Sequence, residues 1–106
     1  MTAGTPEPTR NLLTGTVVTG ERKMFRYTVP VDDQQHEFTL TGDPVAVAAP
    51  QLESVEFWAE HDERAGRTDR AFQVFGTGHP LPDGARWVGT CPRIHGIVWH
   101  LYEVTP

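Results

Sequence analysis

SVEFWAEHDE, residues 54–63, puts Val55, Phe57 and Ala59 on one side of an extended chain and Glu56, Trp58 and Glu60 on the other. A period of two marks a strand with one face on a core, because successive side chains of an extended backbone point in opposite directions. The segments around it carry the same pattern. RAFQVFGTG (70–78) sets Phe72 and Val74 opposite Gln73 and Phe75, and MFRYTVPV (24–31) sets Phe25, Tyr27 and Val29 against Met24, Arg26 and Thr28. Between the first two lies DERAGRTD (62–69), charged and centred on Gly66, which reads as the turn of a hairpin. HEFTLTG (36–42) offers Phe38 and Leu40 on one face. Pro30 and the Asp32-Asp33 pair supply turn chemistry before it, so 24–31 and 36–42 are expected to pair as a second hairpin.

Further along, PVAVAAP (44–50) is a short apolar run between prolines and fits an edge strand, where a missing N–H is tolerated. GHPLPDGA (78–85) is a loop by its glycines, prolines and Asp83-Gly84. RWVGT (86–90) is a short strand, CPRIHG (91–96) a tight connection, and GIVWHLYEV (96–104) a last strand. In that last strand Ile97, Trp99 and Leu101 fall on one face and Val98, His100, Tyr102 and Val104 on the other. Both faces are apolar, so the strand is expected either to lie centrally in a two-layer sandwich or to be covered by another subunit. Trp58 and Phe75, on the outward faces of their strands, point the same way.

Glycine or proline interrupts nearly every window after residue 20, and no helix of normal length fits. The expected fold is all-β: a small single-domain antiparallel β sandwich or partly open barrel of about six or seven short strands. Residues 1–22 read as an N-terminal extension, partly disordered, and 23–106 as the single β domain. The composition of the first ten residues cannot offset the entropy of ordering. NLLTGTVVTG (11–20) is ambiguous between a short strand and a loosely docked segment.

At 106 residues the chain is one domain in size, with 14 acidic against 9 basic residues and a formal charge of -5. Such a field repels phosphate backbones and disfavours general binding to nucleic acid or anionic membranes. No apolar run approaches the roughly 20 residues needed to span a bilayer. MTAGTPEPTR lacks the apolar stretch of a secretory signal, and a single cysteine, Cys91, cannot form an internal bridge. A cytoplasmic protein is expected.

Five histidines (His36, His61, His79, His95 and His100) raise a metal site, but no short ligand spacing supports one. Convergence of Cys91, His95 and His79 at one end of the sheet would be required. A Cys91/His95 pair with Asp83 would be a nucleophilic set, yet Cys91 precedes Pro92 with no helix N-terminus to lower its pKa. His61, Asp62 and Glu63 read as a solvated turn. Neither a metal nor another cofactor is expected. GTGHP (76–80) is the most unusual stretch: Gly76 and Gly78 permit positive φ, so successive amides there would form an anion nest with His79 at its rim. The plainer reading is a bulge and chain reversal stiffened by Pro80 and Pro82.

FQVFGTGHPLPDGARWVGT (72–90) followed by GIVWHLYE (96–103) resembles a family of short uncharacterised proteins of bacteriophages and prophages. The shared positions are Gly76, Thr77, Gly78, His79, Pro80, Pro82, Gly89, Thr90, Val98, Trp99, His100 and Glu103. MFRYTVPV and VEFWAEHD are similar to earlier parts of the same pattern, which spans about residues 24–104. The resemblance implies a phage or prophage origin and a small β fold, and no activity. It draws interest to His79 and His100, which both lie in the shared motifs.

Three readings follow. The leading one is a non-enzymatic accessory protein of the bacterial host cytoplasm that binds another protein or itself as a dimer, with Trp58, Phe75 and Tyr102 as interface residues. The second is a binder of a small anionic ligand such as a nucleotide, using Gly76, Thr77, Gly78, His79, Arg86 and His100. The third is a metal-assisted hydrolase.

Overall fold

In the computed structural model, which describes Gly20 and residues 22–105, the alternating segments become seven strands. They are β1 (Arg22–Pro30), β2 (His36–Leu40), β3 (Pro44–Gln51), β4 (Ser54–Asp62), β5 (Thr68–Gly76), β6 (Arg86–Thr90) and β7 (Trp99–Val104). No helix occurs among the described residues, and the ambiguous segment 11–20 lies almost wholly outside them. A three-stranded sheet, β1-β4-β3, packs on a four-stranded sheet, β2-β5-β7-β6. Every pairing is antiparallel, and the sheets stay open at their edges as a sandwich rather than closing into a barrel.

The core forms where the inward faces meet. Val29, Leu40, Val55, Phe57, Ala59, Phe72, Val74, Cys91 and Leu101 are buried there as one cluster. Phe57 and Phe72 face each other across the sheets at 4.9 Å between ring centroids, both fully buried. Burying one such ring stabilises the fold by up to about 3 kcal/mol. Gly89 makes room for this packing: a Cβ there would stand 2.6 Å from Val47 Cγ2 of the opposite sheet.

Two expected hairpins are not formed. β1 pairs with β4 and β2 with β5, so the turn after Pro30 carries the chain from one sheet to the other. The apolar faces of β1 and β2 then meet across the core, with Tyr27 edge-on to Phe38 at 5.8 Å. A hairpin would have left both sets on one face, needing another cover. The turn chemistry itself is as read: Asp32 Oδ1 accepts from the Gln34 amide at 3.1 Å, and Asp33 sits at φ 61°. The segment after Asp62 likewise crosses between sheets, although Asp62 Oδ1 accepts from the Arg64 amide at 2.9 Å as a turn residue should. Short-range turn signals report that the chain reverses; the apolar faces decide whether it stays in the sheet. The true hairpins are β3–β4, joined through Leu52 and Glu53, and β6–β7, whose tip has His95 and Gly96 both at positive φ. That pair of angles is the type I′ signature.

β5 and β6 both run antiparallel to β7, which lies between them. The chain leaves β5 at Gly76, level with Trp99, but enters β6 at Arg86, level with Glu103. Residues 77–85 must therefore return by about 13 Å, and they do so over the outer face of the sheet. Ala85 packs on a second apolar cluster of Ala71, Phe75 and Val104, flanked by Tyr102. The second apolar face of β7 is thus covered by the chain's own loop, while Trp99 and Leu101 face the main core.

Candidate functional site

The loop begins with a tight turn. The His79 amide donates to the Gly76 carbonyl at 3.2 Å, and Gly78 at the third position has φ 89°, the type II arrangement that favours glycine. The His79 amide is thereby turned into the chain and is not offered to an anion. Gly76 has a separate role. A Cβ on it would lie 3.1 Å from His79 Cε1 and 3.4 Å from Trp99 Cζ3, so the missing side chain lets the imidazole settle beside Trp99. Trp99 is itself anchored, its Nε1 donating to the Leu52 carbonyl at 3.1 Å.

Two clefts flank this turn. The larger, of about 430 Å³, is lined by Thr77, His79, Arg93, Ile97, Val98 and Trp99, with Gly76 and Gly96. The smaller, of about 160 Å³, lies on the outer face of the sheet and is lined by Phe75, Leu81, His100 and Tyr102, with the Gly76–His79 turn. Gly76, Thr77 and His79 belong to both.

His100 looks into the smaller cleft but has no ring nitrogen to spare. Its Nε2 is 2.8 Å from Thr77 Oγ1 and its Nδ1 2.9 Å from Thr90 Oγ1, which in turn accepts from Trp87 Nε1 at 2.9 Å. In either neutral tautomer one nitrogen donates and the other accepts, and the two threonines satisfy both. The ring ties the ends of β5, β6 and β7 together. His36 is likewise engaged, by Asp32 at 2.9 Å, and His61 stacks on Phe25 at 4.7 Å while bonding Glu63. Among the described residues no group of three or more histidine, cysteine or acidic side chains is arranged to hold a metal ion.

Of the residues singled out from sequence, Gly76, Thr77, Gly78, His79 and His100 come together. Arg86 does not join them. It reaches Glu103 at 2.7 Å, three residues further along β7 than His100, where Arg70 also grips Glu103 through Nε and NH2 at 2.8 Å each and Asp43 at 2.7 Å. The Arg70 guanidinium holds the Glu103 carboxyl below the usual carboxylate range, and the two acids push the Arg70 pKa up. These four side chains line a separate cleft of about 490 Å³ in which each charge has an opposite partner. Cys91 lies in the core, where burial raises its pKa, and not beside His79. Phe75 and Tyr102 meet edge to face at 5.7 Å under the loop, whereas Trp58 stands on the outer face of the other sheet, opposite Arg26 and Ala46. The three proposed interface residues therefore form no single patch.

The DUF7352 family, a domain of unknown function, matches residues 20–106. The chain belongs to that family. No curated protein and no solved structure matches it. Within this DUF7352 domain, Arg93 is the site residue that sequence reading missed. Arg22, Arg26, Arg64, Arg67, Arg70 and Arg86 each have a carboxylate partner, at 3.8 Å or closer. Arg93 has none among the described residues, and it lines the larger cleft with His79. A lone arginine in a loop carries no signal of its own. Its place depends on the Ile94–Ile97 bridge, two hydrogen bonds of 2.8 Å that fold the β6–β7 tip back beside Trp99. Trp87 was also missed: it is 62% exposed on the edge strand β6, opposite Tyr102.

Proposed function

We propose that this DUF7352 domain is a non-catalytic binding module that takes a small anionic ligand in the cleft between the GTGHP turn and the β6–β7 tip. The observation that carries the reading is Arg93, which has no carboxylate partner among the described residues of an acidic molecule and lines the same cleft as His79, with Trp99 and Ile97 as an apolar wall. A cation left without a partner beside apolar surface favours an incoming anion, and a mostly apolar cleft with a few convergent polar groups is the usual form of a small-molecule site. Titration calorimetry with pyrophosphate at low salt tests it. Binding that weakens at least tenfold in Arg93→Ala, with an unchanged melting temperature, supports the reading. No heat and no thermal shift with any phosphate compound removes it.

A second reading, self-association or binding of a protein partner, is favoured by the exposed Trp87 on an open sheet edge. Light scattering on the wild type and on Trp87→Ser distinguishes them: a dimer lost in the variant supports an interface at β6. The likeness of the quoted motifs to phage and prophage proteins supports an accessory role in a bacterial host, and the free Cys91 thiol fits a reducing cytoplasm. Among the described residues no helix is long and apolar enough to cross a membrane.

A further inference from the structure

We infer that the Thr77 hydroxyl is a ligand-binding donor of the anion site, and that Trp87, Thr90 and His100 position it by fixing the direction of the hydrogen bonds behind it. This rests on the anion-site reading above and adds to it a neutral donor for an oxyanion.

The direction follows from the one member of the chain with no choice of role. An indole N–H donates and never accepts. Trp87 Nε1 lies 2.9 Å from Thr90 Oγ1, so Thr90 is the acceptor there. Thr90 Oγ1 has one further partner among the described residues, His100 Nδ1 at 2.9 Å. Its own hydrogen therefore has one protein acceptor in reach, and that bond forms only where Nδ1 keeps its lone pair. A neutral imidazole with a bare Nδ1 carries its proton on Nε2. Nε2 then donates to Thr77 Oγ1 at 2.8 Å. Thr77 accepts from the ring, and its hydrogen lies away from it. The reverse order would leave the Thr90 hydrogen with no protein acceptor and turn the Thr77 hydrogen back onto His100.

The hydrogen left over belongs to a residue of the GTGHP turn. Thr77 lines both clefts, the larger one together with Arg93 and His79. Its hydroxyl has no partner other than His100 among the described residues. No carboxylate side chain lines the larger cleft, and its Gly76, Ile97 and Trp99 carbonyls already accept from the His79, Ile94 and Cys91 amides. An oxyanion entering beside Arg93 supplies the acceptor that the Thr77 hydrogen lacks.

Two measurements test the inference. Nitrogen-15 NMR at about pH 8, where an imidazole is ordinarily neutral, reads the tautomer of His100. A proton on Nε2 and a bare Nδ1 are expected; a proton on Nδ1 overturns the direction and with it the role of Thr77. Calorimetry with pyrophosphate at low salt is then run on the wild type, Thr77→Val, Thr77→Ser, Thr90→Val and Arg93→Ala, each checked by a melting curve. Thr77→Val is expected to weaken binding at least about tenfold, the effect of one hydrogen bond to a charged acceptor, and Thr77→Ser to restore it. Thr90 lines neither cleft, so Thr90→Val acts only through His100: it should mix the two tautomers and weaken pyrophosphate severalfold with Thr77 still in place. That variant carries the test if Thr77→Val proves unstable. Binding that depends on Arg93 but is unchanged in Thr77→Val and Thr90→Val overturns this inference and leaves the anion site standing. Failure of the wild type to bind overturns both.

Discussion

Replacing Glu103 with glutamine removes the acceptor at the centre of the Arg70–Arg86–Asp43 network, and the geometry sets the size of the effect. The carboxylate is only 14% exposed, and it takes both Arg70 bonds and one from Arg86. An amide keeps one acceptor oxygen but loses the charge, so one Arg70 bond goes and the other weakens. A hydrogen bond between charged groups contributes about 1.5–3 kcal/mol net. Arg86 adds little to this sum, because at 72% exposure it exchanges Glu103 for water at about 0.5 kcal/mol. Arg70 retains Asp43, which is 85% exposed and holds it weakly. The expected loss for Glu103→Gln is therefore about 2–3 kcal/mol, or roughly 10–20 °C in melting temperature for a domain of this size. Arg86→Ala, the control, should cost less than about 1 kcal/mol.

The pH dependence has a definite sign. Hydrogen bonding to Arg70 lowers the folded-state pKa of Glu103 more than burial raises it. A carboxyl with a depressed folded pKa contributes its stability above the unfolded value, about 4.3, and loses it as pH falls through the folded value. Urea unfolding followed by tryptophan fluorescence should thus show a constant gap between the two proteins from about pH 6 to 8 that narrows steadily below about pH 4. A variant within about 0.5 kcal/mol of wild type at pH 7, or a gap that persists undiminished to pH 2.5, would show that Glu103 is not the ionised centre described.

Gly89→Ala drives a methyl to 2.6 Å from Val47 Cγ2 and should destabilise by about 1–3 kcal/mol, most of it recovered in the double variant with Val47→Ala, as read from denaturant midpoints. If the single substitution is neutral, the sheets are not in contact at β3 and β6. Cys91 is buried with its pKa raised, so a thiol reagent at pH 8 should label the native protein only as fast as the core opens, and the unfolded protein at once. Rapid labelling of the native state refutes its place in the core.

The strands and their faces were legible because alternation is a local property: Val55, Phe57 and Ala59 needed no partner to declare an inward side. Strand pairing was not. Asp32-Asp33 and the stretch around Gly66 signal reversals equally well in a hairpin and in a crossing between sheets, and only the fit of Tyr27 against Phe38 and Phe57 selects the crossing. The site was half legible for the same reason. Gly76, Thr77, Gly78 and His79 are neighbours in sequence, and His100 meets Thr77 through a strand pair that places Phe75 beside it. Arg86 does not join them, because its position in β6 sets it opposite Glu103. Arg93 escaped notice because its role depends on a turn angle at His95 and Gly96 and on where a different loop ends.

The position of the clefts follows from the connection that the topology forces. A chain that leaves β5 and enters β6 in the same direction, with β7 already between them, has to travel back across the sheet. The crossing residues cover the second apolar face of β7, which would otherwise require a partner, and they start from a turn whose glycine brings His79 against Trp99. Cover and clefts are therefore products of one loop. Nine residues spanning about 13 Å leave slack, since an extended chain of that length would reach about twice as far. That slack is why the loop lies over the outer face with gaps beside it rather than tight against it. Shortening it would pull Leu81 and His79 off their places before it exposed the main core, so the proposed anion binding, read by calorimetry, should be lost at a loop length at which the melting temperature is still kept.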